Sequence, residues 1–222
     1  MKLGYHTSIA VGLSNAVQTA RQENLTALQI FPGSPRNYFP SQHTEDNLQA
    51  MRDLAIPKFV HINYFVNLAS AKPVIPKSIA QNLQFCDDIK AEGLVVHMGS
   101  NKNIEEGMAL SIKNIQEAYE RIDYPTSMRR ILIEITAEGG NRLKLPYIFE
   151  LVENLKDYNV GICFDTAHAY GAGYQVLETL NKHIEKIDLI HLNNPNPEVK
   201  FGGHQDKHNV SLFLEEAKLN QD

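Results

Sequence analysis

The 222-residue chain has few cysteines, no long apolar run and no block of like charge. No apolar stretch approaches the roughly 20 residues that span a bilayer, and no signal peptide opens the chain. These absences predict an intracellular, cytoplasmic protein with no membrane partner. The two cysteines, Cys86 and Cys163, stand far apart in apolar surroundings. This argues against a disulfide framework and favours buried free thiols.

The charge balance is mildly acidic. The formal charge is −5 with the nine histidines counted neutral, and no basic run marks a nucleic-acid-binding tail. Without bound cations, this acidity would argue against binding to DNA. With 43% hydrophobic residues the chain can bury one sizeable core, so residues 1–222 are expected to form a single domain.

Short apolar runs alternate with amphipathic stretches along the whole chain. Strict alternation of strand and helix predicts a parallel sheet covered on both faces. A closed barrel of eight such units needs about 250 residues, which leaves room here for about seven. The predicted fold is an α/β TIM (β/α) barrel whose eighth strand–helix unit is missing or incomplete. The expected strands are 3–6, 27–31, 58–62, 93–97, 130–135, 160–165 and 187–192, and the expected helices are 13–23, 44–54, 77–91, 104–119, 146–158 and 174–186.

Histidines and carboxylates fall at the ends of these predicted strands. Because the carboxyl ends of the strands in a parallel barrel share one face, the side chains are expected to converge there. Any one of them alone is better explained as a hydrogen-bonded strand-end residue, but the whole set on one rim indicates metal binding. The set comprises His61, His97, Glu134, Asp165, His168, His191, Asp206 and His208.

Mixed imidazole and carboxylate ligands suit Zn²⁺, with Mn²⁺ or Fe²⁺ also possible. These ligands are too many for one tetrahedral ion, so a cluster of two or three ions is expected. Clustered divalent ions suit phosphoester hydrolysis, because they activate water and neutralise charge on the attacking and leaving oxygens.

Short segments spread over most of the chain carry a more specific pattern. They are GYHTS at 4–8, LQIFPGSPR at 28–36, VHINYFVNLAS at 60–70, VVHMGS at 95–100, ILIEITAEGG at 131–140, FDTAHAYGAGY at 164–174, IHLNN at 190–194 and DKH at 206–208. In this order they resemble the endonuclease IV family. Members of that family are zinc-dependent apurinic/apyrimidinic endonucleases with a xylose-isomerase-like TIM barrel.

The resemblance implies up to three zinc ions and a role in base excision repair. The implied reaction is hydrolysis of the DNA phosphodiester 5′ to an abasic site, which leaves a 3′-hydroxyl, with Glu134 and Asp165 as candidate catalytic residues. The implied ligands are His61, His97 and Glu134 for the first ion, Glu134, Asp165 and His191 for the second, and His168, Asp206 and His208 for the third.

The resemblance also implies double-stranded DNA with abasic sites as the partner, and we expect a monomer to bind it. Arg36, Tyr64 and Phe65 match positions that fill the gap left by a flipped-out nucleotide, and their side chains can stack on bases. The alternative for Tyr64 and Phe65 is packing beneath the rim. Three divalent ions would change the formal charge from −5 to +1, which removes the objection to DNA binding.

The family pattern includes one further ligand, a glutamate at the end of the eighth strand. Only fourteen residues follow His208, too few for another strand and helix with their loops. The second ion would then have fewer ligands, and the first and seventh strands would keep open edges. Two alternatives therefore stand: a non-catalytic shortened homologue that binds DNA or metal, and a divalent-metal sugar isomerase or epimerase on the same barrel.

Overall fold

The computed structural model describes residues 2–34, 36–122, 130–137 and 144–203, and the backbone of residues 208 and 209. Seven parallel strands form one sheet in the order of the chain. The predicted alternation of strand and helix is confirmed. The strands are β1 Gly4–His6, β2 Ala27–Ile30, β3 Lys58–His61, β4 Gly93–His97, β5 Arg130–Glu134, β6 Val160–Asp165 and β7 Leu189–His191.

Helices connect the strands and cover the outer face of the sheet. They are α1 Leu13–Gln22, α2 Glu45–Arg52, α3 Val74–Asp88, α4 Ile104–Arg121, α5 Leu145–Asn154, α6 Thr166–Gly171 and α7 Val176–His183, followed by a 3-10 turn at Ile184–Lys186. Thr44 and Asn103 begin α2 and α4 by accepting hydrogen bonds from backbone N–H groups in the first turn. Among the described residues, no helix has the length and apolar character needed to cross a membrane.

The sheet is curved into a barrel. In sheet order β2 and β7 are five positions apart, which at about 4.8 Å per strand would separate them by about 24 Å in a flat sheet. Nevertheless, His191 Nε2 on β7 lies 2.9 Å from Gln29 Oε1 on β2. The strand ends therefore meet around a common axis, as expected for a (β/α) barrel.

Apolar side chains fill both faces of the sheet. On the outer face the strands pack against the helices, with Ile133 and Phe164 fully buried. Inside the barrel, a smaller cluster lies at strand positions that alternate with the outer set, as the two-residue period of a strand requires. This cluster, the inner layer, consists of Phe59, Val95, Leu132, Cys163 and Leu189. It forms the floor beneath the carboxyl ends of the strands.

Among the described strands, β1 and β7 each have only one neighbour. Leu3 just before β1, Tyr5 on β1 and Ile190 on β7 are exposed, at positions that strand alternation places on the outer face. The predicted barrel with a missing or incomplete eighth unit is confirmed for the described part of the chain.

Two local elements differ from the sequence prediction. Residues 166–171 form the short helix α6, because Asp165 Oδ1 accepts a hydrogen bond from the His168 N–H at 2.8 Å and so caps the first turn. Beyond residue 192, where no strand was among the expected elements, β8 Asn194–Pro195 pairs antiparallel with β9 His208–Asn209. This pairing brings the chain back beside the end of β7.

Two asparagines, the half-buried Asn67 and the buried Asn114, hold the loops that carry the rim of the barrel. Asn67 joins the loop after β3 to the loop after β4, with Nδ2 donating to Ser100 O at 2.9 Å. Gly99 has φ 82, and a Cβ there would collide with Asn67 Oδ1. On α4, Asn114 Nδ2 donates to Leu68 O at 2.7 Å and to Ser70 O at 2.9 Å.

We predict that Asn114→Ala lowers the free energy of unfolding by about 2 kcal/mol, because buried carbonyls lose their donor. The urea midpoint at constant m-value measures the loss. Lys113→Ala, on the exposed face of the same helix, should change stability by less than about 0.5 kcal/mol. Equal midpoints for the two variants would contradict the anchoring role of Asn114.

Candidate metal centre

Glu134, at the end of β5, is the centre of the candidate site. Its side chain is 1% exposed and lies among four imidazoles. Glu134 Oε2 lies 3.0 Å from His61 Nε2 and 3.0 Å from His97 Nε2. Glu134 Oε1 lies 2.7 Å from His191 Nδ1 and 3.7 Å from His168 Nδ1. Four imidazoles, three from strand ends and that of His168 from the segment after β6, thus meet around one carboxylate.

Backbone carbonyls indicate which ring nitrogen carries the proton in two of these histidines. His61 Nδ1 lies 2.7 Å from Ile62 O, and His168 Nδ1 lies 2.7 Å from Ile135 O. Because a carbonyl only accepts, Nδ1 is the protonated nitrogen, and Nε2 is unprotonated in a neutral ring. This tautomer, fixed by a carbonyl behind the ring, is the usual arrangement of a metal-binding histidine.

The protonation states also suit a metal ion. Burial alone would raise the pKa of Glu134, but the imidazoles of His191 and His97 and the hydrogen bond from His191 hold that pKa well below the usual value. Burial lowers the pKa of His61, which outweighs the opposing effect of Glu134. The site therefore offers an ionised carboxylate beside a neutral imidazole, the forms that bind metals.

His191 behaves differently from His61. Burial would lower its pKa, but the charge and hydrogen bond of Glu134, together with the charge of Asp165, raise it. Both ring nitrogens face acceptors, because Nδ1 lies 2.7 Å from Glu134 Oε1 and Nε2 lies 2.9 Å from Gln29 Oε1, so without an ion each can donate. The Nδ1 proton has to leave before that nitrogen can bind a metal.

Asp165 links β6 to the other side of the site. Its Oδ1 accepts from the His168 N–H, and its Oδ2 accepts from Asn193 Nδ2 at 2.5 Å. The same Oδ2 lies 3.8 Å from His191 Nδ1. The carboxylate is thus held rigidly between His168 and His191.

Among the described side chains, three groups have ligand atoms within 4.8 Å of one another. They are His61, His97 and Glu134; Glu134, Asp165 and His168; and Glu134, Cys163 and His191. Nitrogen lone pairs and carboxylate oxygens so close together repel unless a proton or a cation lies among them. The nitrogen and oxygen donors present fit Zn²⁺, Mn²⁺ or Fe²⁺.

The structure brings together six of the eight predicted ligands, His61, His97, Glu134, Asp165, His168 and His191. Asp206 lies outside the described residues. For His208 the backbone is described, paired with Pro195 across β8 and β9, and the side chain is not. Both residues stay predictions.

The sequence interpretation missed three members of the site. Gln29 Oε1 accepts from His191, and Gln29 Nε2 lies 3.2 Å from His6 Nδ1. Asn193 holds Asp165, and Cys163 joins Glu134 and His191 in one ligand group. Strand alternation could have predicted that Gln29 and Cys163 face the inside of the barrel, since each lies two positions from another inward-facing residue on its strand.

The predicted DNA-contacting residues lie on loops at this rim. Tyr64 is 62% exposed, and its ring centroid lies 6.1 Å from those of His61 and His97. Phe65 is 52% exposed, beside Tyr38. Arg36 is exposed on the loop after the neighbouring strand β2. Tyr64 and Phe65 are therefore not packed beneath the rim.

Comparisons with known proteins agree with the fold. A family model described as a xylose isomerase-like TIM barrel matches residues 17–212. An endonuclease 4 of Thermus thermophilus is 32% identical over 217 residues, covering 87% of this chain and 76% of that protein. The crystal structure of endonuclease IV from another strain of Thermus thermophilus superposes with a TM-score of 0.79 at 30% identity, covering 94% of this chain and 81% of that one.

A more distant solved structure shares the barrel alone. The 3-keto-D-glucoside 4-epimerase of E. coli superposes with a TM-score of 0.66 at 11% identity, covering 99% of this chain and 87% of that one. Identity this low shows the architecture and nothing about the reaction. The Thermus relative is 32% identical over most of both chains, which is enough to show a shared family. The chain therefore belongs to the endonuclease 4 family of xylose isomerase-like TIM barrels.

Proposed function

We propose that this protein hydrolyses the phosphodiester bond 5′ to abasic sites in double-stranded DNA, leaving a 3′-hydroxyl for base excision repair. The observation that carries the proposal is the meeting of four imidazoles around the buried Glu134 carboxylate at the barrel rim. Membership of the endonuclease 4 family supports DNA as the substrate.

The residues divide into ligand sets by position. His61, His97 and Glu134 would hold one divalent ion. Glu134, Asp165 and His191 would hold a second, and His168 would join Asp206 and His208 around a third. Bound there, divalent ions would activate water and neutralise charge on the phosphate oxygens. Zn²⁺ is the proposed metal, with Mn²⁺ or Fe²⁺ as substitutes.

The protein's own side chains would orient the centre and the DNA. Glu134 stays ionised, and the carbonyls of Ile62 and Ile135 hold the rings of His61 and His168 in one tautomer. Above the rim, Tyr64 and Phe65 expose aromatic faces on which bases can stack, and Arg36 offers a guanidinium from the next loop. Asn63 Oδ1 accepts from the Phe65 N–H at 3.2 Å and so shapes the aromatic loop.

The incomplete barrel favours one alternative, a shortened homologue that binds DNA or metal without cleaving. A sugar isomerase or epimerase is the second, supported by the shared barrel alone. Elemental analysis of the purified protein separates the first alternative from the enzyme: near three ions supports the nuclease, and one or none supports the non-catalytic protein. Turnover of a ketose with Mn²⁺ in the absence of nicking would support the isomerase.

The zinc-loaded protein should nick duplex DNA that carries a tetrahydrofuran abasic analogue, on the 5′ side of the lesion. We predict that His97→Ala and Glu134→Ala abolish nicking while the fold persists, as judged by circular dichroism. His183→Ala removes a histidine that packs on Phe149 away from the site and should leave nicking unchanged. Normal activity in either site variant would refute the ligand assignment.

Gln29→Leu should weaken metal binding about 10- to 100-fold, because His191 loses the acceptor that orients its ring. Competition with a chromophoric chelator measures the affinity. Gln84→Leu, an exposed change on α3, is the matched control and should bind metal normally. Equal affinities in both variants would mean that Gln29 has no part in the site.

Tyr64→Ala should raise the Kd for duplex DNA carrying the abasic analogue about 5- to 150-fold, the loss of one stacked base. Tyr64→Phe keeps the aromatic face and should bind like the unmodified protein. Fluorescence anisotropy with a labelled duplex measures both, with Leu177→Ala as a control on the exposed surface of α7. Undiminished binding by Tyr64→Ala would exclude a stacking role.

A further inference from the structure

Cys163 lies at the boundary between the inner layer and the metal centre. On β6 it pairs in register with Glu134 of β5, and it is fully buried. Below it the side chains of Val95 and Leu132 are apolar. On the other side its sulfur belongs to a ligand group with Glu134 and His191. The Cys163 thiol therefore has apolar side chains on one side and two candidate ligands on the other.

The three ligand atoms are close enough to share one ion. The Cys163 Sγ, a Glu134 carboxylate oxygen and a His191 nitrogen all lie within 4.8 Å of one another. Around a tetrahedral zinc ion with bonds of about 2.0 to 2.3 Å, ligand atoms lie about 3.3 to 3.8 Å apart. A contraction of about 1 Å, within the reach of side-chain rotation, would therefore close the group on an ion.

Nitrogen, oxygen and sulfur donors together select the metal. Thiolate is a soft ligand that favours zinc and other soft or borderline ions over magnesium or manganese. Asp165 Oδ2, 3.8 Å from His191 Nδ1, can complete a set of four donors. Such a set needs no ligand from an eighth strand, which the described part of the barrel lacks.

We propose that Cys163 is a thiolate ligand of a divalent ion that Glu134 and His191 also bind. When the ion binds, a metal–sulfur bond replaces the S–H bond, and the proton leaves to the buffer. The site takes zinc, cadmium or cobalt in preference to manganese. This inference rests on the metal centre of the proposed function, but it does not require nuclease activity.

Cobalt titration tests the proposal, because a cobalt–thiolate bond produces a charge-transfer band in the near ultraviolet. The unmodified protein and Cys86→Ser should show the band, and Cys163→Ser should lose it. Cys86 is the matched control, since it is the other cysteine of the chain and its sulfur lies 3.9 Å from Gly93 O, outside the metal centre. A band of equal strength in Cys163→Ser, or no band in any of the three proteins, would overturn the proposal.

A measurement on the unmodified protein guards against misfolding of the variant. X-ray absorption of the zinc-loaded protein should show a sulfur neighbour at about 2.3 Å. Nitrogen and oxygen neighbours alone would overturn the proposal. The nicking assay, run in parallel, separates the two claims. A sulfur ligand without nicking refutes the nuclease alone, whereas nicking without a sulfur ligand refutes the role of Cys163 alone.

Discussion

Glu134 is a carboxylate that the fold removes almost completely from water, and an isolated buried charge is very costly. Imidazoles from the ends of β3, β4 and β7 and from α6 surround it and hold it in the ionised form. Each imidazole reaches Glu134 from a different strand or helix. These contacts therefore require the strand ends to stay in register. The curvature of the sheet, the loops and the centre therefore depend on one another.

The same geometry explains why the centre suits cations. The carbonyls of Ile62 and Ile135 accept the Nδ1 protons of His61 and His168 and so leave unprotonated nitrogens in neutral rings. In His191 the acceptor lies at the other ring nitrogen. Gln29 Oε1 accepts from Nε2, which turns Nδ1 towards the carboxylates. Backbone and amide groups around the centre thus decide which lone pair each ring presents.

The open side of the barrel, between β1 and β7, lies next to the second proposed ligand set, which is Glu134, Asp165 and His191. In the described residues β1 and β7 have unpaired outer edges, and no strand between them contributes a side chain. Instead, Asn193 and Thr166 fasten the end of β7 to α6, with the Asn193 N–H donating to Thr166 Oγ1 at 2.9 Å. The end of β7 is therefore fixed from the β6 side, and His191 keeps its place beside Glu134 although the described residues form no further strand of the sheet beside β7.

The sequence alone determined the order of strands and helices, because buried strands have to be apolar and their ends have to change to polar residues. For the same reason it located His61, His97, Glu134, Asp165 and His191 at strand ends. It did not determine α6 or the pairing of β8 with β9, since a single capping bond and a two-residue pairing have too little sequence pattern to detect. Only the tertiary structure decided that Gln29 contacts His191 and that Cys163 shares a ligand group with Glu134. These contacts join strands distant in the chain, and they depend on sheet curvature and on side-chain distances that no local pattern encodes.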